Sequence, residues 1–307
     1  MTARTAAVLC AALMGTPMAA QDLPVVGENL VTNGSFEQSP VGPVAAGEVP
    51  EGWWREAYGA DGQLEIVAGG APGQGQRCLT ISTDPLNSSS GLHGELVRID
   101  PAKAYLQSGW ARVEPPGASS GLMLGRQWFD AEQEPLAQEH SRSYNYVATH
   151  LSPEGWASYE QLLIPDRTPD DGRFAANEIP AGARYLRVWA ICFQWAGEGY
   201  FDGLALHEVD YARMARERIA GMLEEANAAA TRAEIEAALH ELPKDTEAAE
   251  RARELLGELN RLRKRLEGEG QPVSEWIADE QRAPELVEEL DDVRWRLKIE
   301  ALLGEAG

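Results

Sequence analysis

A change of pattern near residue 210 constrains the fold more than any other feature of this 307-residue chain. Before it, short apolar runs alternate with clusters of Gly, Pro, Asn, Asp and Ser, as in short strands joined by turns. Candidate strands are 65–67, 78–82, 94–99, 104–113, 122–129, 158–164, 185–193 and 199–207, with turn formers at 84–91, 114–121 and 165–172. After it, apolar residues step by three and four. Ala212, Ala215, Ile219, Met222 and Ala226 form one stripe, and Ala248, Ala252, Leu255, Leu259, Leu262 and Leu266 a second. Leu286, Leu290, Val293 and Leu297 form a third, with the heptad-like period of packed or coiled helices. Pro243, Gly268, Gly270 and Pro272 separate these helices, and Thr231 with Glu234 has capping-box spacing. The expected fold is therefore mostly β with an α tail. A two-sheet sandwich spans 21–209, and a helical hairpin or small bundle spans 210–307.

Residues 1–20 have the layout of a signal peptide. A short basic start precedes the apolar run from Thr5 to Met14, and Gly15 and Pro17 break it before Ala19-Ala20. The run is too short to span a bilayer, so a secreted or periplasmic protein is expected. Cys10 sits inside the run rather than behind small residues at its end, which argues against a lipoprotein. The formal charge of -22 repels polyanions, and nucleic acid and anionic membrane are poor partners for it. Cys78 and Cys192 either form a bridge or pack as separate thiols, and their positions in strands do not decide between the two.

Catalytic motifs are weak. Gly117-Ala118-Ser119-Ser120-Gly121 matches a hydrolase nucleophile pattern, but Pro115-Pro116 precede it and a strand follows where a helix is needed. None of the five histidines falls in zinc-protease spacing, and the loop from Asp84 has Leu86 at a calcium-ligand position and Ser89 at the glycine position. A binder is expected rather than an enzyme.

Several segments, in order, carry a resemblance. They are Asn29-Leu30, Asn33-Gly34-Ser35-Phe36-Glu37, Gly52-Trp53, Gly75-Gln76-Arg77-Cys78-Leu79, Ser108-Gly109-Trp110-Ala111-Arg112, Trp128-Phe129-Asp130, Trp156, and Gly199-Tyr200-Phe201-Asp202. Over 29–208 the chain resembles carbohydrate-binding modules of the galactose-binding-like jelly-roll group, of the xylan- and glucan-binding type. The resemblance implies a polysaccharide or oligosaccharide partner. It also implies a structural Ca2+ joining the first and last strands, with ligands matching Glu37 and Asp202. The family often has two acids in a row at the end, where this chain has Asp202-Gly203.

Sugars present C–H faces and a rim of hydroxyls, so a binding face needs aromatic planes beside planar polar groups. Arg stands two residues from Trp in three strands: Trp110 and Arg112, Arg126 and Trp128, Arg187 and Trp189. With Phe193, and with Trp54 and Tyr146 from expected loops, these residues form one expected sugar face. Two other readings stay open. The helical tail could cover that face, with Arg paired to its acids, or the tail could self-associate or dock a partner in a structural protein.

Overall fold

The computed structural model describes residues 23–44, 49–58, 62–83, 89–115, 121–136, 144–149, 151, 153–166, 177–193, 195, 197–241 and 246–305. The signal-like segment and Ser119 lie outside them. The chain forms two compact units divided after Val209.

The first unit is a two-sheet β-sandwich. Its strands are β1 Val25–Val26, β2 Gly42–Pro43, β3 Trp53–Tyr58, β4 Gln63–Ala68, β5 Arg77–Thr83, β6 Ser89–Gly94 and β7 Val97–Arg98. The remainder are β8 Ala104–Glu114, β9 Leu122–Phe129, β10 Tyr144–Thr149, β11 Ala157–Pro165, β12 Glu178–Ile179, β13 Tyr185–Phe193 and β14 Gly197–Val209. Among the described residues, an eight-stranded sheet runs β12-β11-β8-β14-β5-β4-β2, with β1 on β14. A six-stranded sheet runs β10-β9-β13-β6-β3, with β7 on β13. The core lies between them. Leu186, Val188, Ala190 and Cys192 of β13, with Leu122, Leu124 and Trp128 of β9, meet Tyr105, Ala111, Val113, Phe201, Leu204 and Leu206. Each Val, Leu or Phe side chain among them contributes about 1.5–3 kcal/mol on full burial. Gly109 is needed where the sheets approach, because a Cβ there would stand 2.7 Å from Leu204 Cδ2 and 2.8 Å from Leu124 Cδ2.

The opening segment is tied to the last strand. Asn29 donates to the Leu204 carbonyl at 3.0 Å and accepts from the Leu206 amide at 3.0 Å. Trp53 packs 5.5 Å from Phe36 and donates to the Thr32 carbonyl, so it is a packing residue.

Three expectations on this unit are corrected. Ser89–Gly94 is a strand although its Ser and Gly content marks a turn. Small residues are required there, since a Cβ on Gly91 would lie 2.5 Å from the Ala190 carbonyl. The stretch 94–99 ends β6 and resumes as β7 instead of running as one strand. Trp54 and Tyr146 lie in β3 and β10 rather than in loops. Both are edge strands, paired on one side only, where burial imposes little alternation.

The second unit holds α1 Tyr211–Glu225, α2 Ala228–Glu241, α3 Glu247–Leu266 and α4 Val273–Glu305. Asp210 and Thr246 cap α1 and α3 by accepting from the amides of Arg213 and Ala249. The stripes of α3 and α4 are buried but for the half-buried Leu266, whereas α1 buries Tyr211, Met214, Ala215, Ile219 and Leu223 and leaves Ala212, Met222 and Ala226 half-buried. α4 packs along the other three helices to make a small bundle. Thr231 lies buried inside α2, so Thr231 and Glu234 do not form a capping box. Asn227, at φ 49, joins α1 to α2 instead, its carbonyl accepting from the amides of Ala230 and Thr231.

Candidate functional site

Side chains alternate between the faces of a strand, and pairing decides which face is core. β13 pairs with β9 so that Leu186 opposes Trp128, Val188 opposes Arg126 and Cys192 opposes Leu122. Those positions face the core. Arg126 and Trp128 are therefore interior residues, each 0% exposed, and they bind no glycan. Arg126 donates from Nη1 to Gln107 Oε1 and from Nη2 to Gln161 Oε1, both at 2.8 Å, and burial pushes it down to about 9. The expectation of one shared Arg–Trp face fails here. Within a strand the spacing is right, but the three pairs go to three surfaces.

The opposite side of β13 is the outer face of the six-stranded sheet. In register across it run Trp54, His93, Trp189, Gly125 and Tyr146. The side chain of Tyr146 lies outside the described residues. Trp54 is 43% exposed and Phe193 45% exposed. The Arg187 guanidinium lies 3.7 Å from the Trp54 ring centre and 4.5 Å from that of Phe129. His93 stands 5.7 Å from Trp54, ring to ring, and is buried. Trp189 belongs to this row but is only 1% exposed, so it supports the face and presents no stacking surface. His93, Gly125, Gln127 and Phe129 lie on the same side of the sheet without having been foreseen, and all four are buried, so like Trp189 they support the face. Counting residues back from Arg187 across a known pairing would have found them; the pairing is not written in any single strand.

Trp110 and Arg112 lie on the outer face of the other sheet. There Arg112 stands 4.0 Å from the Tyr200 ring centre and 5.6 Å from that of Trp156.

Glu37 and Asp202 are brought into one loop cluster with 69–77. Glu37 Oε1 accepts from the amides of Gln76 and Arg77, both at 2.7 Å. Asp202 accepts from Ala71 and Gly203, also at 2.7 Å. Burial, with the Glu37 charge adding to it, pushes Asp202 up to about 7. Its Oδ2 and the carbonyls of Gly75 and Arg77 come within 2.8, 2.9 and 3.0 Å of the point where a Cβ on Gly70 would stand. Such an all-oxygen donor set suits a hard cation. Among the described residues no group of three or more His, Cys, Asp and Glu gathers, so carbonyls would have to complete the shell. Arg77 already places its guanidinium on the Glu37 carbonyl at 2.7 Å.

Cys78 and Cys192 are separate buried thiols. Burial, with the Asp202 charge adding to it, pushes Cys78 up to about 12, which leaves it inert.

No protein-family model and no curated protein matches the chain. Solved structures similar to the sandwich are mostly carbohydrate-binding modules. The enzymatically active domain of tailspike protein 4 from bacteriophage CBA120 is 11% identical at a TM-score of 0.41, over 59% of this chain and 21% of that one. The chain thus spans about a fifth of that tailspike domain. A family 16 carbohydrate-binding module is 17% identical at 0.35, over 58% of this chain and 99% of the module. The CBM22-1 xylan-binding domain from Paenibacillus barcinonensis is 13% identical at 0.34, over 52% and 86%. Likeness at this level carries no functional argument, which rests on the side chains.

Proposed function

We propose that the sandwich binds a polysaccharide chain without cleaving it, on the outer face of the six-stranded sheet. The observation that carries this reading is Arg187 held 3.7 Å from the ring of the half-exposed Trp54, with exposed Phe193 on the same face. Trp54 and Phe193 offer planes to sugar C–H groups, and Arg187 offers donors to hydroxyls or to an acidic sugar. Export through the segment 1–20 belongs to the same proposal, and N-terminal sequencing of secreted protein checks it. So does a structural Ca2+ held by Glu37, Asp202 and the carbonyls of Gly75 and Arg77.

Affinity electrophoresis in gels cast with xylan, glucan, mannan and pectin tests the binding. Retardation in one gel, with no new reducing ends released from that glycan, supports it. No retardation in any gel overturns it, and release of reducing ends overturns its non-catalytic part.

A second reading concerns the bundle. Trp295, Ile299 and Leu302 are 55%, 54% and 67% exposed, on one face of α4 at i, i+4 and i+7. We propose that this face takes part in self-association or docks a protein partner. Sedimentation of the full chain addresses the first; a monomer at every concentration counts against it.

A further inference from the structure

Sheets packed face to face point their outer sides in opposite directions. One Arg–aromatic group lies on the six-stranded sheet, and a second lies on the eight-stranded sheet behind it. Trp156 precedes β11 and stands level with Arg112 of β8, which pairs with Tyr200 of β14. These three form a row across neighbouring strands. Arg112 lies 4.0 Å from the Tyr200 ring centre and 5.6 Å from that of Trp156, and the two rings meet edge to face at 6.4 Å. Trp110 stands two residues along the same face, opposite Ser158. All four large side chains are half-buried. They are held in place yet keep accessible surface.

We propose that this face is a second glycan site, separate from the first and selective for neutral sugars. The proposal rests on the carbohydrate reading of the sandwich. Selectivity follows from charge. Glu114 stands 3.3 Å from Arg112, Tyr200 donates to Glu198 at 2.6 Å, and Glu160 shares the same outer face two residues past Ser158. One guanidinium among three carboxylates leaves the face net negative, which disfavours uronates and leaves hydroxyls as its partners. The planes of Trp110 and Trp156 supply stacking, and Arg112, Glu114 and Ser158 supply hydrogen bonds. Because the two faces point apart, one straight glycan chain cannot fill both. The sandwich would hold two chains and cross-link them.

Calorimetric titration of the full chain with xylohexaose, cellohexaose and mannohexaose tests this. The expected result is two sites per chain for one of the hexaoses. Trp54→Ala and Trp110→Ala each leave one, and the double variant leaves none. In a gel cast with the matching polymer each single variant is retained at least about tenfold less, because it no longer holds two neighbouring chains at once. Trp110→Phe keeps two sites. Arg112→Gln repeats the test should Trp110→Ala lower the melting temperature. One site, removed by Trp54→Ala and unmoved by Trp110→Ala and Arg112→Gln, overturns the second face while glycan binding stands. No heat of binding from any hexaose, with no retardation in the glycan gels, overturns both readings together.

Discussion

Trp54→Ala isolates the outer face of the six-stranded sheet from the core beneath it. Trp54 is 43% exposed. An aromatic side chain of this size carries roughly 200 Å² of surface, so about 90 Å² is free for a ligand to cover. At about 25 cal/mol per Å² this area is worth about 2 kcal/mol. The loss corresponds to about 30-fold in dissociation constant, an upper figure because ordering the sugar offsets part of it. Stability should change little, because β3 is an edge strand and the ring of Trp54 lies outside the core cluster. The lost Arg187–Trp54 contact amounts to about 0.5–1 kcal/mol. Retardation measured over a series of glycan concentrations gives the dissociation constant, and a thermal melt runs beside it. An unchanged dissociation constant at an unchanged melting temperature would refute the face assignment.

Trp128→Ala, by contrast, empties a site that is 0% exposed and should cost about 3–5 kcal/mol, seen as a large drop in the denaturant midpoint. Chelation should lower the melting temperature by several degrees and added Ca2+ restore it; identical melts in chelator and in Ca2+ would remove the ion from Glu37 and Asp202. Burial holds the His207 imidazole below its usual 6.5. The unfolded chain then takes up a proton near pH 6.5 that the folded chain refuses until lower pH. His207's contribution is therefore complete above that value and is lost as pH falls through it. Asp202, held up at about 7, contributes an opposite slope in this range, so the His207 share is read as the difference between the melts of the unaltered chain and of His207→Gln between pH 5 and 7.5.

Most of the architecture was legible because burial writes itself as period. Leu186, Val188, Ala190 and Cys192 alternate through β13 and do face the core. The stripe from Ala248 to Leu262 steps by three and four and is buried in α3. What was not legible has two causes. Edge strands β3 and β10 bury less and so carry a weak alternation, which hid the positions of Trp54 and Tyr146. The sidedness of a strand is relative, too. Alternation says that Arg126 and Trp128 share a face, and that Arg187 and Trp189 share one, but not that they are opposite faces. Only the pairing of Val188 with Arg126 says so. The charge on Arg126 pointed the wrong way, because burial of a guanidinium is the exception that a sequence rule discounts.

That exception has a structural use. Arg126 belongs to β9 in the six-stranded sheet, while Gln107 and Gln161 belong to β8 and β11 in the other. Arg126 donates to both at 2.8 Å, and Gln107 returns a bond to the Gly125 carbonyl at 2.8 Å. Three directional bonds thus cross the core at one level. Apolar contact tolerates several ways of laying one sheet over another, whereas hydrogen bonds at this length tolerate few. The guanidinium is disfavoured by burial, since its proton is held less tightly than in water. What it contributes is the relative placement of β9 over β8 and β11. That placement sets where Arg187 and Trp189 of β13, hydrogen-bonded to β9, stand on the outer face. On this argument the Arg–Trp pair inside the core fixes the geometry on which the pair outside it depends.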